Sequence, residues 1–465
     1  MAEVLFSKAI LIFRRDLRLQ DNSAFLSAIR SSRQIIPVFI LDPRQVAPHP
    51  YKSDNAFQFM MESLRELSAT LISRGGRLYV FSGLPETVLR RLLSETGADA
   101  VFSNRDYTPF SLKRDLAIVR LCESRKIVCR MSDDALLNAP GTVLKQAGGP
   151  YTVFTPFFKK ASLIRIPLPV EGKGGAFFVA PIAGEKASIL KRLPKKVNGC
   201  IASCGGRSEA LRILRQIKRF KDYARLRDLP VEDGTTRLSA HLKFGTVSVR
   251  EVYWAVRKAL GAEHPLIRQL FWRDFFTTIA YHFPHVFGNA FYPEYDAIRW
   301  ENDQRLFQAW CEGRTGFPIV DAGMRELNTT GFMHNRVRMI AASFLVKDLH
   351  IDWRWGERSF ARKLVDYDPA VNNGNWQWAA STGCDHQPYF RIFNPWLQQK
   401  RFDPRAVYIK KWVPELGNCG PDQIHSVERN GGALLGYPRP VISHAVGAAW
   451  SKQAFREASR RAKSD

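Results

Sequence analysis

The hydrophobic period of this chain changes partway along it, and that change sets what the chain can fold into. Over the first ~130 residues, short apolar runs alternate with amphipathic stretches such as 54–73 and 110–124. The runs are AILIF (9–13), IIPVFI (35–40), RLYVF (77–81), ADAVFS (98–103) and KIVCRM (126–131). Unbroken apolar runs are strands buried on both faces, and strands separated by helices build a parallel sheet covered on both sides. Gly75-Gly76 closes one of the intervening helices. From about residue 209 the period becomes helical. LRILRQIKRF, SVREVYWAVRKAL, PLIRQLFWRDFFTTIAYHF, VRMIAASFLVKDL and ERSFARKLV carry apolar residues at i, i+3 and i+4. The stretch between is rich in Gly, Pro and Lys and reads as a long connector, with a turn and some extended structure at 150–157. The expected architecture is an α/β, doubly wound (Rossmann-like) parallel sheet over 1–134, a connector over 135–208 and an all-helical domain over 209–465.

Several classes are set aside. No apolar run reaches the ~18 residues that cross a bilayer. VLFSKAILIF is short, carries Lys8 and runs into RRDLRLQD, so it reads as a first strand and not as a signal peptide. Arg14-Arg15 is no export signal, because no apolar region follows it. No GxGxxG follows the first strand, so the usual dinucleotide fingerprint is absent. The seven cysteines are scattered, which suits a reducing cytosol. His282 and His285 have Pro284 between them and no carboxylate cluster nearby, so no metal site is expected. Lys plus Arg number 69 against 44 Asp plus Glu, a formal charge of +25 that favours a polyanionic partner, nucleic acid above all.

All eleven tryptophans lie at or after Trp254, and polar residues are interleaved with them. On a helix, Gln269, Trp272, Arg273 and Phe276 share a face, as do Asn335, Arg338, Met339 and Ala342. Asp366, Asp368, Asn372, Asn373 and Gln377 crowd around Trp376 and Trp378. An aromatic ring beside a guanidinium and an amide makes a poor core surface. It suits a pocket that stacks a planar group and hydrogen-bonds its edge. In GTTRLSAHLKFG, the hydroxyls of Thr235, Thr236 and Ser239 stand at a helix start, which suits either phosphate binding or a plain N-cap.

These motifs resemble the photolyase/cryptochrome family, and most closely its class I cyclobutane pyrimidine dimer (CPD) photolyases. The matching segments are IFRRDLRLQDN, DGTTRLSAHLKFG, LFWRDFF, RTGFPIVDAGMRELNTTGFMHNRVRM, DWRWGE, DYDPAVNNGNWQWAAST and YFRIFNP, and together they span nearly the whole chain. The resemblance implies an antenna domain at the N-terminus and a helical domain that holds FAD. Carried over residue by residue, Tyr223, Thr235, Thr236, Arg237, Leu238 and Ser239 would grip the FAD phosphates. Arg273 and Asn335 would line the flavin site, Arg338 would pair with Asp366 beside the ring, Asp368 would contact the ribityl chain or ring edge, and Asn372 would face flavin N5. The partner implied is UV-damaged DNA, bound without regard to sequence, by a monomer of the cytoplasm, nucleoid-associated if prokaryotic. At the flipped-out dimer, Gln269 would hydrogen-bond, Trp272 would stack and Met339 would pack. Trp376, Trp353 and Trp300 match an electron relay running from flavin to surface. Asp106 and Lys243 resemble positions that hold 8-hydroxy-5-deazaflavin, with folate or a second flavin as other antennas.

Two positions depart from the class. Gln269 stands where CPD enzymes of this class carry glutamate, and glutamine is what (6-4) photolyases and animal cryptochromes carry there. Phe332 stands where tryptophan is usual before MHN. The (6-4) enzymes place histidines where this chain has Asn335 and Met339. The readings left open are a CPD photolyase, a (6-4) photolyase, a cryptochrome photoreceptor without repair, and a flavin-free DNA-binding protein.

Overall fold

In the computed structural model the residues described are 5–186, 188–191, 197–386, 388–428 and 436–461. Ala187 and 192–196 of the connector, and Gln387, 429–435 and 462–465 of the helical region, lie outside them. The five apolar runs form strands β1 (Phe6–Phe13), β2 (Ser32–Leu41), β3 (Tyr79–Ser82), β4 (Ala100–Asn104) and β5 (Val128–Ser132). They are parallel and ordered β3-β2-β1-β4-β5. β1 lies at the centre, where Ala9, Ile10 and Leu11 are fully buried, and this is why its sequence lacks polar alternation. The crossover helices Ser23–Ser31, Asp54–Ile72 and Pro109–Ser124 are each opened by a side-chain N-cap, from Asn22, Ser53 and Thr108. The helix Asp54–Ile72 ends as expected at Gly75, whose φ of 74° is left-handed.

The connector holds more structure than its composition suggests. A sixth strand, β6 (Ala176–Phe177), pairs in parallel with Gln34 and Ile35 of β2. Two residues carry no period to read. The 150–157 stretch, expected as turn and extended chain, instead runs into a helix from its midpoint, Phe154–Ala161. Pro156 falls in its first turn, where no backbone donor is needed. Phe154, Phe157 and Ala161 form its buried stripe, with the two phenyl rings against Phe275.

The chain divides into two compact units, which cut across the expected ranges. One comprises residues 1–198, 203–221 and 236–284, and the other 199–202, 222–235 and 285–465. The helices Ser239–Phe244, Val249–Leu260 and Pro265–His282 therefore belong with the sheet. A buried charge network fixes them there. Arg250 reaches Asp21 at 2.8 Å and Asp134 at 2.9 Å, and Arg18 reaches Asp134 at 2.7 Å. Burial alone would raise the Asp134 carboxyl, but Arg18 and Arg250 hold it down at about 2. Removing one partner of such a network costs ~3–5 kcal/mol. Gly245 ends the short helix at φ 61°, and a Cβ there would sit 2.2 Å from the Arg15 carbonyl oxygen, so only glycine allows this approach.

Asp274, fully buried on the helix Pro265–His282, accepts from the backbone N–H groups of Asn138 at 2.8 Å and Leu137 at 3.3 Å. Burial pushes its carboxyl from 3.8 up to about 7. The folded state then binds a proton more tightly than the unfolded chain. Stability from this group is full below the unfolded value and is lost as pH rises from about 4 to about 7. Asp274→Asn, measured by denaturant unfolding across that range, should show a flatter pH dependence than the wild type.

In the second unit, Pro318–Thr330, Asn335–Lys347, Trp353–Lys363 and Pro369–Ala380 pack around Trp310, Phe317, Phe344, Phe360 and Trp376. A Cβ on Gly356 would fall 2.2 Å from the Trp376 ring, so the indole lies directly on the Trp353–Lys363 backbone. Among the described residues no helix is long and apolar enough to cross a membrane.

Candidate functional site

Within the helical unit, one salt bridge organises the polar candidates. Arg338 meets Asp366 in a two-pronged contact of 3.2 and 2.9 Å, and its Nε donates to the Met333 carbonyl at 2.7 Å. Asp368 caps the helix Pro369–Ala380 by accepting from Ala370 and Val371 N–H at 3.1 and 3.2 Å. Asn372, one turn on, donates to the Glu357 carboxylate at 3.0 Å. Asn335 opens the helix Asn335–Lys347, exposed, with its amide nitrogen 3.7 Å from the Met339 sulfur. Tyr223 is buried at the start of a one-turn helix, and Thr235 is half-buried. The segment they bound is tied down by Arg336, which reaches Asp228 at 2.9 Å. Phe332, the departure from tryptophan, stays buried, with the Arg338 guanidinium 5.2 Å from its ring centre.

A guanidinium, two carboxylates and two amides thus stand in one unit beside a core of aromatic and aliphatic side chains. Such a set offers donors and acceptors to the edges of a planar ring and apolar contact to its faces. It fits a flavin. Sequence reasoning missed Glu357, because a pairing between two helices leaves no spacing signal.

The other candidates belong to the sheet-containing unit. Trp272 is half-buried, with one face stacked on Phe154 at 3.6 Å and 6°, and with Phe276 at 5.4 Å. Gln269 lies one turn before it, half-buried. The Arg273 guanidinium donates to the carbonyls of Ala135 and of Leu242, the latter at 3.1 Å, which makes it a strut inside this unit. Thr236, Arg237, Leu238 and Ser239 lead into the short helix Ser239–Phe244. The plain N-cap reading does not hold there: Leu238 sits at the cap position, and no side chain caps the helix. The Thr236 hydroxyl accepts instead from Leu238 N–H at 3.4 Å. Arg237 holds φ 53°, a conformation that costs a non-glycine residue about 1–2 kcal/mol and persists where surroundings impose it.

The strand order reverses between β1 and β4, and in open parallel sheets ligands bind beyond the strand ends at that point. A cleft there is lined by Arg14, Arg15, Asp16, Asn104, Asp106 and Asp134. Asp106 takes a salt bridge from Arg15 at 3.0 Å, and Arg15 Nε donates to the Lys243 carbonyl at 3.2 Å, so the two antenna candidates share one neighbour. Burial raises the Asp16 carboxyl above its ordinary value.

The relay candidates lie together in the helical unit. Trp376 and Trp353 are buried, and Trp300 is partly exposed beside Trp450, their ring centres 6.4 Å apart. Trp376 meets Trp310 at 6.2 Å and Phe360 at 4.9 Å.

Residues 9–171 match the family model described as DNA photolyase, and residues 266–457 match that of the FAD binding domain of DNA photolyase. The chain is 37% identical to a deoxyribodipyrimidine photo-lyase of Synechococcus over 454 residues, 93% of each protein. It resembles the crystal structure of the archaeal photolyase from Sulfolobus tokodaii, which holds two FAD molecules. The TM-score is 0.88 at 45% identity, over 97% of this chain and 100% of that one. It is similar also to the Synechocystis cryptochrome, with a TM-score of 0.88 at 30% identity over 97% of this chain and 99% of that one.

Proposed function

This chain belongs to the photolyase/cryptochrome family, and from that premise we propose that it is a CPD photolyase, a light-driven DNA repair enzyme. The observation that carries the reading is the Arg338–Asp366 pair, in the same unit as Asp368 and Asn372 and within the FAD-binding region. FAD, bound in its reduced form, would supply the blue-light-driven electron that opens the cyclobutane ring and is then recovered. Arg338, Asp366, Asp368, Asn372, Asn335, Tyr223 and Thr235 of the helical unit would hold it. Thr236, Arg237, Leu238 and Ser239 would serve its phosphates. Arg273 would act through the backbone it braces, since its guanidinium is already engaged. The functional division is an antenna region over 1–134, a connector over 135–208 and the FAD- and lesion-binding region over 209–465. The protein acts as a cytoplasmic monomer.

The chain's own groups account for the remaining work. Gln269 donates an amide N–H to a dimer carbonyl. Trp272 offers the dimer the part of its ring that Phe154 leaves uncovered, and Met339 would be an apolar contact for the dimer from the helical unit. No acid–base pair is needed, because the bonds break after electron transfer. Position and exclusion of water are what the protein contributes. A purified protein that is yellow, with flavin released on denaturation, separates this reading from a flavin-free DNA-binding protein.

The +25 charge would supply affinity through phosphates. Binding to dimer-containing duplex should fall steeply with salt and change little with flanking sequence. Titrations at several salt concentrations check this, and a flat salt response would contradict it. The second cofactor proposed is 8-hydroxy-5-deazaflavin, with Asp106 and Lys243 as its candidate contacts. Extraction of the native protein decides it, and folate or a second flavin as the sole antenna released would reject it.

A further inference from the structure

We infer that a second line of aromatic rings carries oxidising equivalents from Trp376 to the surface, through Trp310 and across Phe307 to Trp355. This rests on the flavin reading above, and it extends that reading to residues outside the Trp376–Trp353–Trp300 relay.

The geometry is continuous. Trp376 and Trp310 lie 6.2 Å apart at 72°, and Phe360 bridges them at 4.9 Å from the first and 5.8 Å from the second. Phe307 stacks on Trp310 at 6.0 Å and 19°, and Trp355 meets Phe307 edge-on at 5.2 Å. Phenylalanine is too hard to oxidise to hold the charge itself. It fills the gap that the electron crosses between two indoles.

The surroundings suit the route. Trp310 is fully buried, and its indole N–H donates to the Ala341 carbonyl at 3.0 Å. That bond steadies a positively charged indole, but no water is at hand to take its proton, so Trp310 is a transit point. Trp355 is half-buried and can lose a proton to water, which makes it a terminus. Trp353 differs. The Arg354 guanidinium stands 4.9 Å over its ring, a contact that favours the neutral indole and opposes its oxidation. Asp352 and Asp296 offset part of that charge. Among the described residues no cation stands over Trp310 or Trp355.

The electrons balance. On illumination Trp376 gives one electron to the oxidised flavin, Trp310 refills Trp376, and Trp355 refills Trp310. The Trp355 cation then releases its indole proton to water. An external thiol restores it with one electron and one proton, and the thiol is oxidised.

The test uses the FAD-loaded full chain under blue light with a thiol donor. Trp300→Phe closes the first exit at a partly exposed site that tolerates the change. This variant should keep at least about a tenth of the wild-type rate of flavin photoreduction, and adding Trp355→Phe should lower it about tenfold further, a coupling the single variants do not show. Peptide mass spectrometry of illuminated, thiol-starved Trp300→Phe should find indole oxidation at Trp355. Photoreduction abolished in Trp300→Phe alone, or Trp355 left unmarked in it, overturns the branch. Photoreduction at the wild-type rate in Trp376→Phe would instead overturn the relay beneath it, and the branch with it.

Discussion

Trp376→Phe is expected to abolish photoreduction of the oxidised flavin and to leave dimer repair close to wild type once the flavin has been reduced chemically. Both routes out of the site begin at this indole. Its ring lies on the Gly356 backbone and meets Trp310 and Phe360. Phenylalanine keeps the aromatic contact and removes the oxidisable group. The smaller ring leaves a modest void, so the stability loss stays below the ~3–5 kcal/mol typical of truncating a buried aromatic to alanine. Continuous illumination with a thiol donor reads the first half, and repair of a dimer-containing oligonucleotide by dithionite-treated protein reads the second. Photoreduction at the wild-type rate would remove Trp376 from the relay.

The second large effect is expected from Asp366→Ala. The Asp366 side chain is 4% exposed, and its partner Arg338 is 23% exposed. Losing the carboxylate strands a guanidinium that solvent screens only in part. The cost is about 2–4 kcal/mol, toward the lower side for a partner not fully buried. The Arg338–Met333 hydrogen bond at 2.7 Å holds the guanidinium in place, so the stranded charge stays in the site and does not swing out to water. Denaturant unfolding should register the loss in stability, and FAD should wash out on gel filtration from the variant but not from the wild type. Asp366→Asn keeps two hydrogen-bonding atoms at the same place and should fall between the two. A variant as stable and as yellow as the wild type would take the pair out of the cofactor site.

The five long strands were legible because burial on both faces writes itself as unbroken apolar sequence, as in AILIF and IIPVFI. The long helices were legible for the same reason at period 3.6. What escaped notice depends on pairings between distant elements. The placement of the helices that follow Thr236 with the sheet rests on Arg18, Asp134, Arg250 and the bare backbone of Gly245. A charge network and a glycine contact leave no periodicity. The helix Phe154–Ala161 was hidden by Pro156 and by the composition around it, though Phe154 and Phe157 are its anchors. At the site, Arg338 and Asn372 were readable as polar residues out of place in apolar helices, and Asp366 and Asp368 as carboxylates crowded just before the second of them. Glu357, Trp310 and the cover of Phe154 over Trp272 were not, since each is a contact across elements and each residue alone is ordinary.

Lesion choice turns on Gln269. An amide can donate to a dimer carbonyl but cannot share a proton with it as charge develops. One such hydrogen bond is worth about 0.5–1.5 kcal/mol, so the exchange should lower efficiency without abolishing repair. Asn335 and Met339 offer no proton donor of the kind a (6-4) product requires. The most direct measurement gives the chemically reduced protein oligonucleotides bearing each lesion under blue light, alongside Gln269→Glu. Cyclobutane dimers are expected to be restored by the wild type and somewhat faster by Gln269→Glu, with (6-4) products untouched by both. Restoration of (6-4) products with dimers left intact would contradict the CPD reading.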